Sequence, residues 1–229
     1  MKYQQIKKAI FLERPNRFIA RVLIDGVSET VHVKNTGRCR EILTPGASVI
    51  LERATQPGRK TAYSLIAVYK GEMVINIDSQ VPNQVVYESL NQGLLSQEFG
   101  PIIRVAKEVV YGKSRLDLCY ETDNKKGFIE VKGVTLERDG TAFFPDAPTE
   151  RGAKHLLELV DAVRAGYQGF IFFLIQMKGP SQFRPNTFMD PKFTEALFFA
   201  CQNGVTILAY DSKVTEDGIV LGGPVPVIL

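Results

Sequence analysis

The chain of 229 residues has no tryptophan and only two histidines. A multi-histidine metal centre is thereby excluded, and a Ser-His-Asp arrangement has few ways to form. Its three cysteines, Cys39, Cys119 and Cys201, are widely spaced and form no CxxC pair. That argues against a disulfide framework and a structural zinc site, and leaves packing as their expected role. No apolar run approaches the roughly 18–20 residues that span a bilayer; the longest, residues 169–175, has the length of a strand. Met1-Lys2-Tyr3-Gln4-Gln5 leads into no signal-peptide core, so a cytoplasmic protein away from the membrane is expected. Without tryptophan, or an aromatic platform paired with acids, nothing looks like a sugar site.

Apolar residues make up 45% and charged residues 23%, the balance of an ordinary globular chain. The net charge of +3 hides an asymmetry: residues 1–80 hold 13 Lys+Arg against 7 Asp+Glu, and residues 81–229 hold 15 against 18. A basic half beside an acidic half suggests an anion-binding module joined to a carboxylate-bearing one.

Residues 1–80 read as six short strands, at 9–14, 18–24, 27–33, 49–54, 64–70 and 73–78. Asp25-Gly26 between two alternating runs is a strong hairpin signal. Gly37, Pro45-Gly46, Pro57-Gly58 and Gly71 punctuate the rest. So many strands in so short a stretch fit a small barrel, of which the OB-fold is the common version. Arg14, Arg17, Arg21, Arg38, Arg40, Arg53, Arg59 and Lys60 supply positive charge. Phe11, Phe18, Tyr63 and Tyr69 either stack on bases or fill the barrel. Lys34, Asn35, Thr36, Gly37 and Arg38 form a turn-prone loop suited to holding a phosphate on backbone amides.

Val81-Pro82-Asn83 marks a boundary, and a helix is expected over 84–99 with Gly93 as a break or kink. Thr149 caps a second helix, ending near Ala165 and stopped by Gly166. Its apolar stripe is Ala153, Leu156, Leu157, Val160 and Val163; Arg151, Lys154, His155 and Glu158 form another. Basic residues in a first helical turn oppose the dipole, which an anionic substrate or ordinary solvation would explain. Residues 170–175 are apolar on both faces, as in a central strand covered on two sides, ending at Gln176. Asp190-Pro191 starts a third helix, with Phe193, Ala196, Leu197, Ala200 and Cys201 inward and Gly204 as its stop, before a second buried strand over 205–210. The order from residue 81 is helix, three strands, helix, strand, helix, strand.

Between the first two helices lies a hairpin. Ser114-Arg115-Leu116-Asp117 and Phe128-Ile129-Glu130-Val131-Lys132 flank the turn-forming run 121–126. In the symmetric register Asp117 stands opposite Glu130, and Lys132 shares that face. Two carboxylates there repel unless a cation lies between them. A divalent metal on two carboxylates with a lysine beside it suits phosphodiester chemistry.

This order of elements looks like the core of the PD-(D/E)xK nuclease superfamily. The longer runs, Ser114 to Asp117, Glu130 to Leu136, Phe144-Pro145-Asp146-Ala147-Pro148-Thr149-Glu150-Arg151-Gly152 and Lys154-His155-Leu156, resemble the sugar fermentation stimulation protein family, SfsA. So do Asn35-Thr36-Gly37-Arg38, Pro45-Gly46, Asp190-Pro191 and Gly204-Val205.

The resemblance implies a mixed α/β chain: an N-terminal OB-fold-like β-barrel over residues 1–80, then a restriction-endonuclease-like α/β domain over 81–229. It implies non-specific DNA binding, and the family name links it to regulation of sugar (maltose) metabolism. In the superfamily the acids hold Mg²⁺ or Mn²⁺ and the lysine assists the attacking water. Here Asp117, Glu130 and Lys132 become the catalytic set, with Asp117, Glu130, the Val131 carbonyl and the first-helix Glu88 as metal ligands. Arg17, Lys34, Asn35, Arg38, Arg115, Arg151, Lys154, His155 and Gln176 are the expected nucleic-acid contacts. Whether the site turns over stays open, the alternative being a non-catalytic DNA-binding transcriptional regulator. A homodimer is compatible with these residues and not specified by them.

Overall fold

The computed structural model describes residues 1–35, 37–56, 58–112 and 114–229. Thr36 of the expected phosphate loop and Pro57 of an expected turn fall outside these residues.

The first strands are β1 (Ile6–Asn16), β2 (Ile19–Ile24), β3 (Val27–Val33), β4 (Ser48–Arg53), β5 (Tyr63–Lys70) and β6 (Met73–Asn76). All six match the expected runs. They hydrogen-bond in the order β3-β2-β1-β4-β5-β6, and a parallel β3–β5 pairing at His32↔Ser64 and Val33↔Leu65 closes five of them into a barrel. Closure removes the sheet edges that a small barrel would otherwise expose. Phe11, Val22, Val31, Val49 and Leu65 are buried inside it, so Phe11 is core and not a stacking platform.

Helices α1 (Val81–Asn91) and α2 (Ser96–Phe99) follow. The expected single helix is split in two, with Gly93 at φ 70 between its halves. Strands β7 (Arg104–Tyr111), β8 (Ser114–Glu121) and β9 (Lys126–Val134) come next, then β10 (Leu136–Arg138) and β11 (Thr141–Phe144). Helix α3 (Glu150–Arg164) precedes β12 (Gln168–Ile175) and β13 (Gln182–Pro185). Helix α4 (Pro191–Gln202), β14 (Thr206–Thr215) and β15 (Gly218–Pro224) end the chain. The main sheet runs β15-β14-β12-β9-β8-β7, and β10-β11-β13 form a small second sheet.

Strand β12 lies parallel to β9 and β14 and is buried from 169 to 175. Its side chains alternate between two cores. Ile171, Phe173 and Ile175 pack with Leu156, Leu159 and Leu197 from α3 and α4. Phe170, Phe172 and Leu174 pack with Val85, Val86 and Leu90 from α1 and with Ile50 and Ile66 from the barrel. The barrel therefore docks through its outer wall onto the α1 face. Cys39 adds to the junction, buried with its Sγ 4.0 Å from Thr135 Oγ1. Burial is the main cause of its thiol being pushed up to about 12.

Two side-chain expectations need correction. Leu157 is exposed; the inward face of α3 carries Leu156, Leu159, Val160 and Ala162 instead. Cys201 is exposed on α4, one position past buried Ala200. Among the described residues, no helix is long and apolar enough to cross a membrane.

Candidate active site at the β8–β9 seam

The β8–β9 hairpin adopts the symmetric register, with ladder pairs from Glu121↔Lys126 to Leu118↔Ile129. Asp117 and Glu130 are the next positions, and there the ladder stops. The Val131 amide donates to Asp117 Oδ2 at 2.8 Å, so a side-chain carboxylate takes the place of a backbone acceptor. From the other side Asn83 Nδ2, in the first turn of α1, donates to Asp117 Oδ1 at 2.8 Å. An extended residue points its N–H and C=O to the same side. The Val131 carbonyl thus faces the β8 side, beyond the last paired positions.

Glu130 lies on the α3 side of β9 and is 1% exposed. One oxygen, Oε1, receives the Lys132 ammonium at 2.5 Å and His155 Nδ1. Arg151 Nε donates to His155 Nε2 at 3.3 Å. That makes Nε2 the acceptor and leaves Nδ1 to donate its proton to Glu130. Thr149 builds this face of the site. Its hydroxyl accepts from Gly152 N at 3.1 Å and starts α3 where Arg151 and His155, four residues apart, share one side.

The second oxygen, Glu130 Oε2, is buried without a hydrogen-bond partner among the described residues. A buried unpaired carboxylate oxygen is costly and calls for a reason. The electrostatics are uneven. Burial pushes Glu130 up, but His155 and Lys132 outweigh it and hold the carboxyl below its usual range. Asp117 has weaker support, and burial together with the Glu130 charge raises it to about 6. Asp117 and Glu130, the latter with one buried oxygen open, make a donor pair that could hold a hard cation. Among the described residues, no three His, Cys, Asp or Glu side chains converge as a ready-made cage.

A family model described as the sugar fermentation stimulation protein RE domain matches residues 80–218, and one described as the SfsA N-terminal OB domain matches residues 12–77. The chain belongs to the sugar fermentation stimulation protein family. Sugar fermentation stimulation protein homologs of Alkaliphilus oremlandii and Desulfitobacterium hafniense are 55% and 52% identical, over 99% and 100% of this chain and 98% and 99% of theirs. That of Clostridium perfringens is 51% identical over the full length of both. A structure of Pyrococcus furiosus SfsA in complex with Ca²⁺ shares 30% identity and superposes with a TM-score of 0.89 over 100% of this chain and 98% of that one.

Within this family member, the other expected site residues divide. Glu88 does not join the carboxylate pair: it binds the Met1 amine at 2.9 Å and Gln84 Nε2 at 2.7 Å. Five positions separate it from Asn83, about 140° around the helix, so α1 presents Asn83 to the site and turns Glu88 away. Asn83, a neutral amide, carries no metal-ligand signal in the sequence; its place just after Pro82 in a first helical turn was the available signal.

Gln176 is no surface contact. It is 1% exposed and donates to Asn76 Oδ1 at 2.8 Å and the Asp78 carbonyl at 3.1 Å. It ties the end of β12 to the end of β6. A Cβ on Gly133 would sit 2.4 Å from Gln176 Oε1 and 2.7 Å from Pro82, so only glycine fits between the site strand and this tie. Lys34 and Asn35 are also spoken for. Lys34 bridges Glu52 and Asp78, both at 3.1 Å. Asn35 accepts from Gly37 N and donates to the Ile77 carbonyl.

Arg17 and Arg38, by contrast, line an open groove of about 540 Å³ together with Arg14, Arg40, Ala147 and Pro148. Arg14 stiffens its wall, donating to the carbonyls of Gly37, Arg38, Arg17 and Asn35 at 2.6–2.8 Å. The Arg38 amide reaches Asp146 Oδ2 at 3.0 Å and joins barrel to C-terminal domain. Arg115 pairs with Glu108 at 3.0 Å on the exposed face of β8, and Lys154 is exposed on α3.

Proposed function

We propose that this protein binds DNA without sequence preference and hydrolyses its phosphodiester bonds at the β8–β9 seam with Mg²⁺ or Mn²⁺. The observation that carries the reading is Glu130 Oε2, buried without a partner among the described residues, beside an Asp117 whose pKa is raised to about 6. Mg²⁺ is usually held by one or two carboxylates and keeps several waters, which fits a site with two acids and, among the described residues, no third. The Ca²⁺ recorded with Pyrococcus furiosus SfsA, another hard, oxygen-seeking cation, supports a divalent ion in this fold.

Asp117 and Glu130 Oε2 would hold the ion, with the Val131 carbonyl as a third oxygen. The ion's contribution is to neutralise the scissile phosphate and lower the pKa of water. The chain's own groups do the rest. Asn83 and the Val131 amide fix the Asp117 carboxylate by one hydrogen bond to each oxygen. His155 and Lys132 keep Glu130 ionised. Lys132, a compact positive charge at the edge of the site, stabilises negative charge that builds on the phosphate. Arg151, held to His155, places a further cation beside it.

DNA is read through its backbone. Arg17 and Arg38 line the arginine groove, and Arg115, Arg151 and Lys154 are cations on the same domain as the site. Phosphate contacts of this kind bind tightly and carry no sequence information. Cleavage of labelled DNA with and without Mn²⁺, with Asp117→Ala as control, tests the reading. Metal-dependent cleavage lost in the variant supports it; no cleavage by the unmutated protein leaves a non-catalytic DNA-binding regulator.

A further inference from the structure

The five-residue turn between β13 and α4 holds a phenylalanine in water. Phe188 is 96% exposed. A single apolar residue on a surface needs no explanation, but this one stands at the apex of a braced turn. Asn186 anchors the entry: its amide donates to the Phe144 carbonyl at 2.8 Å and its side chain to the Pro145 carbonyl at 2.9 Å. The Asn186 carbonyl in turn accepts from the amides of Met189 and Asp190 at 2.9 and 3.0 Å. Asp190 anchors the exit, accepting from Phe193 N at 2.9 Å and Thr149 N at 2.7 Å. Asn186 and Asp190 are both buried. These bonds fix the backbone on both sides of Phe188.

The brace also sets the position of the ring. Phe144, Pro145 and Thr149 belong to the segment that ends β11 and starts α3. Ala147 and Pro148 of that segment line the arginine groove. Thr149 caps the helix that carries His155 to Glu130, six residues or about 9 Å further along the axis. The turn that carries Phe188 is therefore bonded at both ends to the one segment that lines the groove and caps the helix of His155. Arg184 and Lys192, each four positions from it, are exposed. An exposed ring on a braced turn, with exposed cations on the strand before it and the helix after it, is a combination that holds unpaired bases by stacking while the charges follow the backbone.

We infer that Phe188 is a base-stacking platform, and that the preferred substrate is single-stranded nucleic acid or the unpaired end of a duplex. This inference rests on the nucleic-acid reading above. A base inside an intact duplex keeps its faces covered by its neighbours, so only an unpaired one can lie on the ring.

The absence of tryptophan provides a direct probe. In Phe188→Trp the new indole is the chain's single tryptophan, and its emission reports on that position alone. Titration with a deoxythymidine oligomer in the presence of chelator should quench it, whereas a blunt duplex should not. Phe188→Ala should weaken binding of the single strand about tenfold and leave duplex affinity and melting temperature unchanged; Phe188→Tyr should restore the loss. Emission unchanged at saturation, single-strand binding unaffected by Phe188→Ala, or equal losses on both substrates would each overturn the stacking assignment while leaving DNA binding intact. Failure of the unmutated protein to bind either substrate would overturn both readings.

Discussion

Asp117→Asn is the substitution whose effect the geometry specifies most fully. Asp117 titrates at about 6 in the folded chain because it is buried and faces the Glu130 charge, against an ordinary value of 3.8. Between those two values the folded state holds more protons than the unfolded one. Stability therefore falls as pH rises through the window, and the loss is complete above about 6. The gap corresponds to about 3 kcal/mol. Asparagine has the same shape and no charge, so the penalty disappears. It offers one acceptor oxygen where Asp117 uses two, for Asn83 and the Val131 amide, and that loss costs about 1 kcal/mol. The metal-free variant should thus be about 2 kcal/mol more stable than the unmutated chain at pH 8. For a chain of this length that is roughly 4–8 °C in Tm. At pH 5 about half of the charge penalty remains, and the gain should shrink accordingly. Thermal melts in chelator across this range make the test. A variant destabilised equally at pH 5 and pH 8 would refute the argument, because it would mean that Asp117 carries no charge penalty in the fold.

Saturating Mg²⁺ or Mn²⁺ should stabilise the unmutated chain, by about 2.7 kcal/mol at a hundred times Kd. Glu130→Gln should abolish the gain and Glu88→Gln should leave it intact, as read by Tm against metal concentration. Replacing Arg17 and Arg38 together with alanine should weaken DNA binding to a similar degree whatever the sequence. Each lost contact should reduce the salt slope by roughly 1, as read by titrations across ionic strengths.

The barrel was legible because alternation and glycine or proline turns mark strands that have one buried face. The hairpin register was legible for the same reason: a slip by one residue would have turned buried Leu118 and Ile129 to the wrong side. The helix caps Thr149 and Asp190 and the buried strand β12 also follow from local chemistry. Strands β7, β13 and β15 were not legible. β7 is an edge strand whose mixed burial gives no clean period, and β13 is four residues long. The orientation of α1 was hidden as well, since its rotation is decided by contacts with Ile50 and Ile66 of the barrel. Asn83, and not Glu88, faces the site for that reason. Gln176 marks a strand end in the sequence, but only the docked barrel shows it bonded to Asn76.

The central claim is that this seam performs chemistry beyond binding, and Lys132 separates the two. Its ammonium is held by Glu130 at the edge of the site, and in the proposed complex it is one charge among many facing the DNA backbone. The decisive measurement is single-turnover cleavage of a labelled single strand and a labelled duplex with Mn²⁺, comparing the unmutated chain with Lys132→Ala, alongside a binding titration of each. A group acting on the transition state lowers turnover far more than affinity. The expected result is cleavage by the unmutated chain that falls steeply in the variant, while affinity drops by no more than one phosphate contact's share, with a salt slope smaller by roughly 1. Cleavage that continues at full rate in Lys132→Ala, or none by the unmutated chain on either substrate, would contradict it.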